Sequence, residues 1–399
     1  MKIKFRTWFG LIYKNIKKAV KETDKLFLLL CLFLSAIGTV MVSSATHRTA
    51  ENGAFFSRDS KVMILALILG VAACLVISFI DYDIILKLWP VIAAGSLFLM
   101  LLLIPFGSAP SGRSDARSWL KITSSLYLQP SEILKIGFII TFSKHLNYLK
   151  SDLSSVKNVL FLCIHAMIPI ALVVYTGDMG SALIFIMMFV GMMFIAGVHW
   201  LYFPLGVVAV GAALPIVWYK VFDNIQRNRI LALIDPQSYS DEIYQQQQAS
   251  NAISEGGFFG TGLFKGPYTQ SGLVPESSND MIFSVICEET GLIGAFVVLL
   301  LFALLAIRII YVGKRSNNYA ASMICYGVMF MIVAQVVINI GMCLKLLPVI
   351  GITLPFISSG GSSVVSLYLA VGLVLSVYRS SGTINYDNDY RFDRIARQL

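Results

Sequence analysis

The sequence predicts an all-α polytopic membrane protein, with about ten transmembrane helices and one long extracytoplasmic loop between helices 7 and 8. Three observations predict it. Of 399 residues, 57% are hydrophobic and only 13% charged, against roughly 45–50% and 25% in soluble domains. The apolar residues gather in runs near the ~20 residues that a bilayer core about 30 Å thick demands of each helix. Ten such helices use about half the chain, which leaves room for one sizeable loop and excludes a large separate soluble domain.

Long apolar windows place the spans near 26–42, 62–80, 88–106, 133–149, 158–175, 179–198, 200–219, 281–311, 320–343 and 354–378. The first, Leu26 to Val42 with Ser43 and Ala45 behind it, imitates a secretory signal. Its length and long basic lead-in read instead as an uncleaved span. Eight of the 31 basic residues lie in the first 25 positions, which marks that end as cytoplasmic. The net charge of +9 is therefore a membrane-orientation signal, and no nucleic-acid partner is expected. An even number of crossings returns the tail, with Arg391, Arg394 and Arg397, to the same side. The chain divides into a basic cytoplasmic N-terminus at 1–25, helices 1–7 over 26–219, the extracytoplasmic loop at 220–280, helices 8–10 over 281–378 and a cytoplasmic tail at 379–399. Six cysteines lie inside apolar runs without CxxC or Cys/His spacing, so they read as packing residues.

The informative residues are polar ones in or beside these spans. Gln129-Pro130-Ser131-Glu132 opens the fourth span, with Pro130 in a tolerated first-turn position and Glu132 and Lys135 on one helix face. An ionisable group at membrane depth costs a few kcal/mol unless paired or hydrated, so this pair is expected to face the bundle interior, as a functional pair or as a simple staple. Asp178 sits between two glycines in a tight outer turn, where a helix cap and a functional acid are equally open readings.

The long loop carries Arg227-Asn228-Arg229, then Tyr244 to Gln248, then the run Gly256-Gly257-Phe258-Phe259-Gly260-Thr261-Gly262. The glycines lack a following Lys-Ser/Thr and a preceding strand, so no nucleotide cofactor is expected; a flexible or re-entrant stretch lined with backbone amides is. The loop ends at Glu276 and Asp280 and runs into span eight. There a carboxylate is favoured by the helix dipole, and an N-cap is the plain reading of Asp280. Glu288 and Glu289 follow in the same span. Adjacent side chains point about 100° apart, so at least one faces the interior, or the span begins later than Asp280 suggests. Leu354 to Ser363, with Ser358, Ser359, Gly360 and Gly361, breaks the helix at the outer side of span ten. Gln335 and Asn339 present amides on one face of span nine, where interhelical glue is the simple alternative. The topology puts most of these residues near the outer leaflet.

These motifs resemble the SEDS family of peptidoglycan glycosyltransferases, the group containing RodA, FtsW and SpoVE. The matching residues are QPSE-x-x-K at 129–135, GD-x-G-S-A at 177–182, R-x-R-I…DP at 227–236 and YQ-x-x-Q at 244–248. They continue with PE-x-x-x-D-x-I-F at 275–283, EE-x-G-x-x-G at 288–294 and LPFISSGGSS at 354–363. Length, the QPSE context and short tails look more like the elongation branch, RodA, than the division branch. Ser278 and Asn279 depart from the His/Gln-Thr that usually precedes the family's acid, and Glu255 is an added acid before the glycines.

The resemblance implies a bacterial cytoplasmic membrane protein with both termini cytoplasmic and its active site facing outside. It implies lipid II and the nascent glycan as substrates, and a class B penicillin-binding transpeptidase as partner, besides membrane lipids. Asp280 becomes the candidate catalytic base of an inverting transfer. Glu132, Lys135, Arg229, Tyr244, Gln248, Ser358, Ser359, Gly360 and Gly361 are candidate substrate contacts. Gln129, Pro130, Asp178, Glu276, Glu288, Glu289 and Asn339 are candidate structural or cavity residues. A divalent cation, Mg2+ or Mn2+, is expected to assist at the pyrophosphate, although no metal ligands are assigned. A lipid II flippase and a non-catalytic scaffold of the wall machinery are the competing readings.

Overall fold

A computed structural model describes residues 23–49, 57–109, 117–123 and 127–396. Most of the basic N-terminus, at 1–22, and the last three residues lie outside the described residues. The elements in order are α1 (Lys25–Ala45), α2 (Arg58–Phe79), α3 (Tyr82–Lys87), α4 (Trp89–Leu101), α5 (Leu103–Phe106), β1 (Gly107–Ser108), β2 (Trp119–Lys121) and β3 (Tyr127–Leu128). They continue with α6 (Pro130–Tyr148), α7 (Val156–Tyr175), α8 (Met179–Ala196), α9 (Tyr202–Ile216), α10 (Asn224–Ile234), α11 (Ser240–Gly256), α12 (Pro267–Gln270), α13 (Ile282–Arg315), α14 (Tyr319–Cys343) and α15 (Gly361–Ala396). The three short strands form an antiparallel β1-β2-β3 patch in the connection before α6.

Nine of these helical segments, among the described residues, are long and apolar enough to cross a membrane. The fourth predicted span, α6, fails that test by composition, yet it is 19 residues long and most of its residues are buried. Surrounded by protein rather than lipid, a helix can carry Ser131, Glu132, Lys135, Thr141 and Ser143 at depth if neighbours satisfy them. With α6 the bundle has the ten helices expected. α14 and the first part of α15 are the most enclosed, and α2 packs along α15. At the other extreme, α9 has no buried residue and stands at the edge.

Asp24 caps α1 through the Phe27 amide, Ser57 caps α2 through that of Ser60, and Asn318 caps α14. These side chains satisfy donors that the helix cannot. At the end away from the long loop, Asp24 pairs with Arg308 at 2.6 Å, which joins α1 to α13. Five of the six cysteines are buried and all six are free, as packing residues should be.

Two expectations need correction. The tenth helix begins at Gly361 rather than 354, because Pro355 and Phe356 form a turn, Phe356 with φ +64°. The residues 354–360 instead fold back against the loop that precedes α13. The 220–280 segment, expected as a long loop, carries the helices α10, α11 and α12, and its glycine run, expected to be flexible or re-entrant, is fixed by backbone contacts to α13. Asp223 opens α10 with a capping box through Gln226. α11 turns Ile243, Gln246, Ala249 and Ala252 inward, and Gln246 donates to the carbonyls of Met342 and Leu347 at 2.8 and 2.7 Å.

The glycine run has a specific job. Helix α13 is broken at Gly291, whose φ of 68° and ψ of −169° are non-helical. A break frees backbone groups on both sides, and the glycine run satisfies them. Leu292 and Ile293 donate to the carbonyls of Gly257 and Phe258, while Thr261 and Gly262 donate to those of Glu288 and Glu289, at 2.9–3.4 Å. A Cβ on Gly256 would lie 1.9 Å from the Cys287 oxygen, and one on Gly260 would lie 2.2 Å from the Glu289 oxygen. The glycines are there for backbone-to-backbone approach, not for a phosphate. The eighth span therefore starts in earnest after Gly291, and Ile282 to Thr290 is a separate half-helix packed in protein.

Candidate active site

The site is built at the loop end of the bundle from three places in the chain. The first is the start of α6. Lys135 is fully buried and donates to Glu132 Oε1 at 2.9 Å, and Glu132 Oε2 accepts from Ser366 of α15 at 2.7 Å. One turn earlier, Gln129 Nε2 and Ser131 Oγ both donate to Asp178 Oδ2, at 2.8 and 3.0 Å. The other oxygen of Asp178 caps α8 through the Ser181 amide at 3.0 Å. Both readings of Asp178 thus merge: it is a helix cap that also clasps the Gln129-Pro130-Ser131 turn.

The second place is the turn before α13. Asp280 is only 2% exposed. It is not the helix cap: Met281 occupies that position without a side-chain capping bond, which overturns the plain reading of Asp280. Its carbonyl accepts from Asn339 Nδ2 of α14 at 2.8 Å, and the same amide nitrogen donates to the Ile352 carbonyl at 2.7 Å. Glu276, at φ +51°, accepts from Asn279 Nδ2 at 2.7 Å, and its carbonyl accepts from the Asn279 and Met281 amides. The departure from the family pattern at Asn279 is therefore absorbed into the turn's own bonding.

The third place is the stretch 354–366. Ser358 Oγ donates to the Asn279 carbonyl at 2.6 Å, the Ser359 amide donates to the Ser278 carbonyl at 2.9 Å, and the Ser359 hydroxyl donates to Asn279 Oδ1. A few residues on, Ser362 Oγ donates to the Tyr127 carbonyl and accepts from the Gln129 amide, before Ser366 meets Glu132. One short run of hydroxyls thus grips the peptide beside Asp280 with one end and the buried Glu132–Lys135 pair with the other. Three residues of extended reach at most and five of helix separate Ser358 from Ser366, since α15 begins at Gly361, so the two ends of this run lie within about 18 Å.

The predicted residues do not all converge. Glu288 and Glu289 are both buried but serve the splice region. Glu288 accepts from the Tyr268 and Thr269 amides, capping α12, and from the Thr269 hydroxyl. Glu289 accepts from Ser44 of α1 at 2.5 Å and from Gln270. Tyr244 is 45% exposed, and Gln248 and Arg229 are partly buried on α11 and α10. Ser358 and Ser359 use their hydroxyls on the turn before Asp280. Sequence reasoning missed Ser366 and Gln246; Ser366 could have been found as a polar residue one turn past Ser362–Ser363 on the same helix. Among the described residues no group of three His, Cys, Asp or Glu could hold a metal ion, so the donor set does not fit a resident metal held by the protein alone.

A polytopic bundle with a buried ion pair and a clamped acid at one end defines a membrane protein with a polar site at its loop end. Residues 24–383 match the family described as cell cycle protein, of FtsW, RodA and SpoVE, and the chain belongs to that family. The peptidoglycan glycosyltransferase MrdB of Escherichia coli strain K12 is 31% identical over 287 residues, covering 71% of this chain and 75% of that protein. Stage V sporulation protein E of Bacillus subtilis strain 168 is 30% identical over 367 residues, covering 90% and 97%. A solved structure concerned with polymerization and crosslinking by a peptidoglycan synthase complex superposes with a TM-score of 0.77 at 25% identity, covering 90% of this chain and 98% of that one.

Proposed function

We propose that this chain is a peptidoglycan glycosyltransferase that polymerises lipid II into glycan strands for cell-wall elongation and shape. The observation that carries the reading is Asp280: a buried carboxylate residue whose flanking backbone is held from α14 by Asn339 and from the 354–366 stretch by Ser358 and Ser359. Fixing a reacting group before substrate arrives is what converts binding into rate.

The donor sugar is α-linked to pyrophosphate and the new bond is β-1,4, so one inverting displacement suffices. In this reading Asp280 takes the proton of the acceptor hydroxyl while that oxygen forms the new bond to the anomeric carbon. The bond from that carbon to the pyrophosphate oxygen breaks with its electron pair on the departing group. Positive charge must meet that group. Arg229 supplies a contact from α10, and Lys135, paired with Glu132 at 2.9 Å, supplies field from within the bundle. A divalent cation, Mg2+ or Mn2+, would come with the pyrophosphate oxygens of the substrate and neutralise their charge, since magnesium is commonly held by one or two carboxylates plus phosphates.

The loop end faces outside, both termini face the cytoplasm of a bacterial inner membrane, and a class B penicillin-binding transpeptidase is the partner. Support for the side comes from the basic N-terminal sequence; support for the partner comes from the synthase complex among the structural relatives. The test is the purified chain in liposomes with lipid II alone. Glycan strands are expected. Translocation of a fluorescent lipid II without polymer would replace this reading with a flippase.

A further inference from the structure

We propose that the Phe258–Phe259 tip of the glycine run inserts into the bilayer as an interfacial anchor, on the leaflet at the loop end, and that its partner there is lipid. The segment from Gly256 to Phe264 has no charged residue and lies between exposed Glu255 and Lys265. Phe258 and Phe259 are 60% and 80% exposed, and their rings meet edge to face with centroids 5.3 Å apart. Loops that face water seldom present such a pair.

The splice fixes their depth. Gly257 and Phe258 accept from Leu292 and Ile293, so the tip lies beside the first residues of the uninterrupted part of α13. That part ends in Lys314 and Arg315, which belong at the opposite interface. Twenty residues outward from Lys314 cover about 30 Å, the thickness of the hydrocarbon core. Leu292 and Ile293 then fall within about one turn of the other boundary, in the zone where aromatic side chains settle. Leu292, Phe296, Leu300 and Leu304 are all exposed on α13, an apolar stripe suited to face lipid, and the tip is bonded beside its outer end.

The same hydrogen bonds give the anchor a role. The half-helix Ile282–Thr290, which follows Asp280, is spliced to the tip through Glu288 and Glu289. A tip seated in lipid would hold that half-helix at a fixed height against a lipid-linked substrate.

The experiment uses the full chain in nanodiscs of phosphatidylethanolamine and phosphatidylglycerol. Cys163, the one native cysteine that is not fully buried, is replaced by serine. A nitroxide is then placed at Phe259→Cys, with Lys265→Cys and Leu300→Cys as aqueous and lipid references. Collision with oxygen is compared with collision with a nickel chelate. For the 259 label the ratio is expected to exceed that of the 265 label by about threefold or more and to approach that of the 300 label, as for a side chain at the acyl boundary. A ratio equal to that of the 265 label would show a tip in water, and low collision with both reagents would show a tip covered by protein. Either result overturns the proposal. Phe259 is exposed, so the variant should fold, and circular dichroism with gel filtration checks that it does. The readout does not involve polymerisation, so it stands or falls apart from the proposed reaction.

Discussion

Ser366 of α15 donates to Glu132 Oε2 at 2.7 Å while Lys135 occupies Oε1 at 2.9 Å, so both oxygens of a carboxylate buried in the bundle are engaged. The pair is thereby tied to the same run of hydroxyls that holds the turn before Asp280. A staple needs only stability from such a pair; a functional pair also needs its charge.

The distinction can be measured. Glu132→Leu leaves the Lys135 ammonium buried without its carboxylate, a loss of about 3–5 kcal/mol, whereas replacing both partners by apolar groups of similar size is often near neutral. Thermal unfolding in detergent should therefore show Glu132→Leu strongly destabilised and the double variant Glu132→Leu/Lys135→Leu close to the parent. Polymerisation of lipid II should be absent in both. A double variant that regains stability and full activity would reduce the pair to a staple.

Asn339 offers a second test. Asn339→Leu keeps the branched heavy-atom outline, at a larger volume, but leaves the carbonyls of Asp280 and Ile352 without their amide donor, at about 1–3 kcal/mol for each buried group left unsatisfied. The larger effect should be on rate, about 100-fold in turnover, because a small displacement of a reacting group costs that much. Initial rates over a lipid II series would separate the two: a change confined to the Michaelis constant would contradict a positioning role.

The helix splice predicts a sharp contrast between two glycines. Gly260→Ala combines φ +81° with a Cβ 2.2 Å from the Glu289 oxygen, so it should destabilise by about 2 kcal/mol or more. Gly206→Ala on α9 meets nothing within 4 Å and removes a helical glycine, so it should be neutral or stabilise by about 0.5–1 kcal/mol. Unfolding midpoints of the two variants check this.

How much of this was visible beforehand follows from what each residue reports on. Span positions depend on runs of apolar side chains, a one-dimensional property, and nine of the ten meet the length-and-composition test in the structure. Glu132 and Lys135 were readable as an interior pair because spacing on one helix fixes their faces. Asp178 was readable as a cap because its neighbours are glycines. What could not be read was contact between distant segments. Nothing local says that Ser358 and Ser359 would grip Asn279, that Ser366 would reach Glu132, or that glycines 256–262 would fill a break at Gly291. The last misled most: glycines that look flexible in sequence are needed here because two backbones touch. Asp280 was misread as a cap for a related reason, since the residue that opens a helix is decided by the turn before it, and that turn is set by Glu276 and Asn279.

The central claim is that Asp280 removes the acceptor proton, and the most direct measurement compares glycan polymer formed from lipid II by the purified parent and by Asp280→Asn. Loss of a general base predicts a fall of about 100- to 10,000-fold, with helical content and unfolding temperature close to the parent's. Polymer at near-parental rate from a correctly inserted Asp280→Asn protein would contradict the account.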